Sequence, residues 1–359
     1  MVAPSGGVKT ELIRSYREYP KSYSLDYLTS HTLVSGLAEK DRDGNTVPRA
    51  GILQDLDGKV LHLKDFTTIL SSSEENRQAI YGQLRSAFDG YYEAAFGTMR
   101  EPVRVSSRFG LVAGVTPAID KYTQMNSLLG ERFLMVRSSP NPLEATKRAS
   151  TVSGRETQMR MELRAAASSF IKSLRFQDVP GYSVTQEEAL PRIGGYVARM
   201  RTSVWARYDR GTIVDMDPVE GEVPTRVTKQ LKKLGQLLAI INGHESVTEA
   251  EIQTLRRVAR DTCDPKRQKI IEAFHYVGFN AILTQADVVG HTRGLYYGTV
   301  QNQLQIMKVL DILTESSSLY RVNDSFREYI DAVYPPATRE KESKTRSFLK
   351  GTLMEAGLE

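Results

Sequence analysis

Ala3-Pro4-Ser5-Gly6-Gly7-Val8-Lys9-Thr10 is the stretch on which the fold turns. Two adjacent glycines, a lysine and a hydroxyl residue come in the order that a phosphate-binding loop needs. In such a loop, consecutive backbone N–H groups wrap the phosphates, the lysine reaches the outer ones, and the hydroxyl meets Mg²⁺. Gly6, Gly7, Lys9 and Thr10 fit those roles, while Ala3 and Val8 stand where the two defining glycines fall. The same eight residues also read as a Gly/Ser-rich segment ahead of a helix. The pattern of the chain beyond Thr10 decides between the two.

Downstream, short apolar runs bounded by turn residues alternate with helical patterns, the signature of an α/β layer. The segment after Thr10 reads as a helix through Glu18. Gly58 to Asp65 reads as a buried strand ending at a carboxylate. Ser71 with Glu74, and Ser72 with Glu75, form two overlapping capping boxes. They open a helix that carries Ile80, Leu84 and Phe88 on one face and stops at Asp89-Gly90. Phe109 to Val115 is a second strand, tipped by polar Thr116, and Phe133 to Val136 a third, preceded by Arg132.

Loop, acidic strand, polar-tipped strand and Arg-Phe, in that order, resemble the AAA+ series. The chain is similar to a divergent member of the minichromosome maintenance (MCM) group of AAA+ helicases, and to ATPase-like proteins of phages and mobile elements. Leu63-Lys64-Asp65-Phe66-Thr67, Gly114-Val115-Thr116-Pro117-Ala118-Ile119-Asp120 and Gly130-Glu131-Arg132-Phe133 carry the likeness, which spans residues 3–245. Val8 would hold the place of the alanine before the loop lysine in MCM proteins. Tyr91 to Arg104, around Phe96-Gly97, resembles their hairpin insertion, and Pro224 to Leu231 the start of a lid helix.

The resemblance implies roles for ATP and Mg²⁺ as cofactors. Lys9 would bind the β- and γ-phosphates, and Thr10 and Asp65 the metal. Thr116 would orient the attacking water. Arg132 would reach across a subunit interface of a homo-oligomeric ring as an arginine finger, and Arg226 would touch the γ-phosphate from the lid. Each has a plainer reading: Asp65 as a strand-terminal cap, Arg132 as a charge flanking a strand, Arg226 as a solvated first-turn residue. Two departures stand out. The family's Asp-Glu pair is Lys64-Asp65 here, so one carboxylate is missing and hydrolysis is expected to be slow or absent. Only Met1 and Val2 precede the loop, so the sheet is expected to lack its first, central strand, in a chain shortened from a longer natural one.

The rest divides by pattern. Residues 1–140 form the expected nucleotide-binding core and 141–245 an all-α lid. Met159, Leu163, Ala166, Phe170 and Leu174 recur at helical spacing, as do Leu190 to Val204 and Val227 to Ile241, the last stopping at Asn242-Gly243. A short strand is expected over Gly211 to Val214. Residues 246–264 read as a linker. Residues 265–335 read as three helices and a hairpin, the plan of a winged helix. Residues 336–359 read as a basic tail. Tyr296 to Val309 is the expected recognition helix. Gln301, Asn302, Gln305 and Lys308 would face DNA, Asn and Gln being matched to adenine edges, with Arg293 on a phosphate.

Composition sets the outer bounds. With 40% hydrophobic and 25% charged residues, collagen-like and mostly disordered readings are excluded. The formal charge of +5 suits a phosphate-rich partner. Cys263 is the only cysteine, so no internal disulfide forms. The five histidines show no metal-ligand spacing, and His62 reads as packed. No apolar run approaches the ~18 residues of a membrane span, and a cytoplasmic protein without a membrane partner is expected. The combined expectation is an ATP-binding AAA+ protein acting on DNA, like a helicase or helicase loader. The alternatives are a non-hydrolysing DNA-binding regulator or assembly protein on a degenerate ATPase scaffold, and a transcription regulator that uses ATP as a ligand.

Overall fold

The computed structural model describes residues 1–35, 51–95, 102–122, 132–176, 178–216 and 221–335, with the backbone alone at 37–40 and 46–49. They fall into two compact units, Met1–Arg175 and Phe176–Glu359. Phe96-Gly97, the stretch 129–131 and the 336–359 tail lie outside the described residues.

In the first unit, helix α1 (Lys9–Arg14) comes directly after the loop and gives way to turns before Glu18. Next come β1 (Ser22–Leu25), α2 (Ser30–Leu33), the antiparallel pair β2 (Leu37–Lys40) and β3 (Thr46–Arg49), and β4 (Val60–Leu63). After them come α3 (Thr67–Leu70), α4 (Glu74–Phe88), the hairpin β5 (Tyr91–Ala94) and β6 (Val103–Ser106), and β7 (Gly110–Ala113). A 3₁₀ turn over Pro117–Tyr122, α5 (Pro142–Val152) and α6 (Glu156–Ser173) complete the unit.

β1, β4 and β7 pair in that order, all parallel, with Leu61 opposite both Tyr23 and Leu111. Residues 1–3 extend this sheet. Val2 makes parallel bridges to Val115 on one side and Arg137 on the other. Ala3 N donates to Val115 O at 3.1 Å, Val2 N to Val136 O at 2.8 Å, and Ser138 N to Val2 O at 2.9 Å. Five parallel segments therefore run in the order 22–25, 60–63, 110–115, 1–3 and 136–138. Where the first strand was expected to be absent, residues 1–3 lie between 110–115 and 136–138. Val2 is buried and bonded on both flanks, so no open edge is left in the slot.

The core lies where Leu61 and Leu63 of β4 meet Phe66, Ile69 and Leu70, and where α4 lays Ile80, Tyr81, Leu84 and Ala87 against them. The cap of α4 is Ser73, which accepts from Asn76 N, rather than Ser71 or Ser72. Phe88, expected on the inward face, is exposed. Helices α5 and α6 bury no residue. Met159 (43% exposed), Leu163 (41%) and Phe170 (46%) were expected to face a core and do not. The neighbouring face of α6 is turned inward instead. There Ala167, Ser168 and Ile171 are half-buried, Arg160 forks onto Glu11 through two 2.9 Å bonds, and Arg164 meets Glu18 at 2.9 Å.

The second unit holds α7 (Val184–Arg201), the hairpin β8 (Ala206–Asp209) and β9 (Thr212–Met216), α8 (Thr225–Asn242), α9 (Glu249–Thr262) and α10 (Pro265–Val277). Beyond these lie β10 (Leu283–Thr284), α11 (Gln285–His291), α12 (Tyr297–Val309), β11 (Leu313–Ser316), β12 (Leu319–Val322) and α13 (Asp324–Val333). The expected linker at 246–264 is in fact α9. A Thr248–Glu251 capping box opens it, and Ile252, Leu255, Val258 and Ala259 bury one face. Nor do 184–245 and 265–335 stand apart. Arg267 donates to the carbonyls of Met200 and Thr202, Tyr196 Oη to Gln268, and α13 packs on α7. The strand order β10-β12-β11 is antiparallel throughout, with α11 and α12 between its first two strands in sequence.

Candidate functional site

Three chain segments converge at one end of the parallel strands of the first unit. The first is the loop. Gly7 N donates to Pro4 O at 3.0 Å, closing a turn in which Gly6 has φ +77°. A Cβ on Gly7 would lie 2.8 Å from Pro4 O and 3.0 Å from Ala3 Cβ, so only glycine fits. Val8 then takes φ 64° at the N-cap of α1. For a β-branched residue this left-handed backbone is strained, at about 1–2 kcal/mol. Lys9 is buried, and its ammonium folds back over the loop, donating to Ala3 O at 2.6 Å and Pro4 O at 2.9 Å. Thr10 is half-buried in the first turn of α1, where helix geometry leaves the leading N–H groups without intrahelical acceptors.

The second and third segments are the ends of β4 and β7. Gly114 joins them to the loop helix. A Cβ there would meet Lys64 O at 2.8 Å, Ile13 Cδ1 at 3.1 Å and Lys9 Cβ at 3.5 Å. The absent side chain is what lets α1 and the two strand ends come together. Asp65 is exposed, and its Oδ1 accepts from the N–H of Thr67, the first residue of α3, at 2.9 Å. Lys64 turns toward Asp26 at the end of β1, Nζ to Oδ1 2.6 Å, and this bond lowers the Asp26 carboxyl below its usual range. Thr116 N donates to Thr67 Oγ1 at 3.3 Å, and the two hydroxyls lie 3.4 Å apart. Thr67 was not singled out from the sequence; its one signal was a hydroxyl two residues past the strand-end carboxylate. His62 is buried in β4 and stacks on Tyr16, and burial lowers its pKa. It is a packed residue, not part of the site.

The loop helix that follows Gly6 and Gly7 and carries Lys9 and Thr10 therefore meets the strand ends that lead into Asp65 and Thr116. Arg132 is not among these residues. Its side chain is 8% exposed, bonds Asp89 Oδ2 at 3.1 Å and lies 5.5 Å over the Phe88 ring. Arg226 opens α8 in the second unit. There, Arg293 O accepts from Lys269 at 3.0 Å, and Asn302, Gln305 and Lys308 are all engaged by side-chain bonds, while Gln301 is half-buried on the same helix. Among the described residues, no group of three or more His, Cys, Asp or Glu is placed to hold a metal ion, and no helix is long and apolar enough to cross a membrane.

The arrangement can cradle an anion. A glycine-turned loop, a lysine whose ammonium already sits on two carbonyls, and the hydroxyls of Thr67 and Thr116 just past the strand ends suit a polyphosphate better than an apolar ligand, with Asp65 left for an accompanying cation. For an accompanying divalent cation the donor set is thinner, with Asp65 and the Thr10 hydroxyl as the oxygen ligands. The chain matches no family model and no curated protein.

Proposed function

We propose that the chain is an ATP-binding protein of the AAA+ type that acts on DNA. The observation that carries this reading is the strand order, in which the segment leading into the loop lies between the 110–115 strand and the segment after Arg132. The close approach of Lys9 and Ile13 to Gly114 and Lys64 supports a reading in which Lys9 and Thr10 act with Asp65 and Thr116. The loop amides would wrap the phosphates, and Lys9 would exchange its two carbonyl partners for phosphate oxygens. ATP and Mg²⁺ are the implied ligands, and Mg²⁺ would supply charge neutralisation. A ring assembled through Arg132 would first have to open its pair with Asp89.

The second unit supports the DNA half of the reading. A three-stranded antiparallel sheet in the order β10-β12-β11, with α12 entering β11, fits a winged helix. Binding of a fluorescent ATP analogue tests the nucleotide half. We expect Lys9→Ala to weaken binding by ~2–3 kcal/mol, roughly 100-fold, because a charge-assisted bond to phosphate is lost. Equal affinity for wild type and variant would refute the site.

One observation favours a non-hydrolysing version of the same protein. Lys64 is held by Asp26 where a second carboxylate would be needed, and Asp65 Oδ1 already accepts from Thr67 N. ATP turnover measured with DNA present separates the two forms. Robust turnover that is lost in Arg132→Ala would end the non-hydrolysing version. Tight binding without turnover would support it.

A further inference from the structure

In the second unit Asn302, Gln305 and Lys308, expected to face DNA, are already bonded within the chain. Asn302 uses both ends of its amide. Nδ2 donates to Gly211 O at 2.8 Å, and Oδ1 accepts from Ile213 N at 3.3 Å. Both partners are backbone groups of the β8–β9 hairpin, one at its turn and one in β9. The hairpin therefore lies against α12. On the side facing the small sheet, Gln305 donates to the Tyr320 hydroxyl at 3.5 Å and Lys308 pairs with Glu315.

Size decides what this does to DNA reading. A helix with its side chains is about 10–12 Å across, and the major groove is about 12 Å wide. The groove admits α12 alone. It does not admit α12 with a hairpin alongside, since the hairpin's own two strands already lie ~4.8 Å apart. Charge decides whether the hairpin is itself a reader. Arg207 and Arg210 are matched by Asp209 and Asp215, and Arg207 lies 3.9 Å from Asp215. A neutral hairpin has no net attraction for phosphates. Its backbone also offers Asn302 one N–H and one C=O. Adenine offers the same donor and acceptor pair, through N6 and N7, at its major-groove edge.

We propose that the β8–β9 hairpin is an internal guard on α12. It satisfies Asn302 with peptide groups that stand in for a base edge, and it keeps the helix out of the groove until it is displaced. This rests on the DNA-binding reading above. Val300, Leu304 and Met307 are buried on the side of α12 turned away from Asn302, so the hairpin can leave without opening that part of the core; Ile306, buried one turn on from Asn302, is the apolar side chain on the hairpin's own side.

The test is duplex binding by the full chain, read by anisotropy of a labelled mixed-sequence duplex. One variant replaces residues 207–215 with a short Gly-Ser turn. A second, Ile213→Pro, removes the N–H that Asn302 accepts. Both are expected to bind about tenfold tighter than wild type, as for a helix that is free only a tenth of the time. Hydrogen exchange at the Ile213 amide of the wild type should quicken when DNA is added. Unchanged or weaker binding by both variants overturns the guard while leaving the DNA reading standing. So does binding by the wild type with Ile213 still protected. No binding by any form refutes the DNA reading, and the guard with it.

Discussion

The loop at 3–10 and the face of α12 at 301–308 are both legible as residue types, and they come out differently. In the loop, the decisive features are backbone ones: a turn at Gly6, no room for a Cβ at Gly7, and a left-handed Val8. On α12 the decisive features are partners on other elements. Asn302 is bonded to residues about ninety positions earlier, and Lys308 to a strand beyond the end of its helix. Backbone shape is set by residues adjacent in the chain, so the conformation of the loop can be argued from its own sequence. A set of polar side chains on a helix shows only what they are able to bind; the rest of the chain determines whether they are free to bind it.

The largest effect that would test this contrast falls on the loop side. If backbone approach builds the site, then Gly114→Val should cost about 3 kcal/mol, because two of the three nearest atoms, Lys64 O and Ile13 Cδ1, belong to a strand end and a packed helix. Thermal unfolding monitored by circular dichroism should show an early transition and loss of ATP-analogue binding. A variant that keeps both its melting temperature and its binding would show that the three segments are not held as close as their geometry implies.

On the partner side, Glu251 is the sharpest probe. Its buried carboxylate accepts from Thr248 N at 2.8 Å, Thr248 Oγ1 at 2.6 Å and Asn242 Nδ2 at 2.6 Å, with His244 Nδ1 at 3.1 Å. Burial pushes its pKa up, but these bonds outweigh burial and bring it to about 2, from an ordinary 4.5. Glu251→Gln should destabilise the second unit by ~2 kcal/mol, since an amide cannot accept at both oxygens. The depressed folded-state pKa fixes the sign with pH. The stability is complete above pH 4.5 and drains away as pH falls toward 2. Denaturant titrations at several pH values should show the gap between wild type and variant closing across that window. A constant gap would mean that the carboxylate's charge contributes nothing.

The same division governs how much was legible in the sequence. The spans of α7, α8, α10 and α12 are visible because apolar residues recur at helical spacing and Asn242-Gly243 stops one of them. Helix α9 is hidden, although Thr248 and Glu251 spell out a capping box, because the charged residues between its apolar positions give 246–264 the look of a linker. The strand at 1–3 is invisible because a strand of three residues has no period. Its identity comes only from Val115 and Arg137 on either side. The stripe on α6 is apolar, as its spacing indicates, but not inward, since periodicity shows that a face exists and not which face is covered. Asp89 under Arg132 and Asp26 on Lys64 are illegible for the reason that governs α12: each partner lies on another element.

The smallest effect bears on the residue that looks most damaging to the motif. Val8 stands where phosphate loops favour a small residue, and it is 62% exposed with φ 64°. Exposure means that its side chain contributes little packing, so substitution removes few contacts. The left-handed backbone means that valine is strained there, while glycine is not. Val8→Gly should therefore raise the stability of the first unit, by about 1 kcal/mol once the greater freedom of glycine in the unfolded chain is set against the relieved strain. The nucleotide affinity should hold or improve, because the N–H groups keep the direction that the positive φ gives them. A valine-to-glycine change inside an ordinary helix would destabilise instead, since glycine lowers helix propensity. Chemical denaturation of the two proteins side by side gives the sign directly. A destabilised variant would mean that the loop relaxes out of the left-handed conformation in solution, and the backbone argument for the anion cradle would fail at its most specific point.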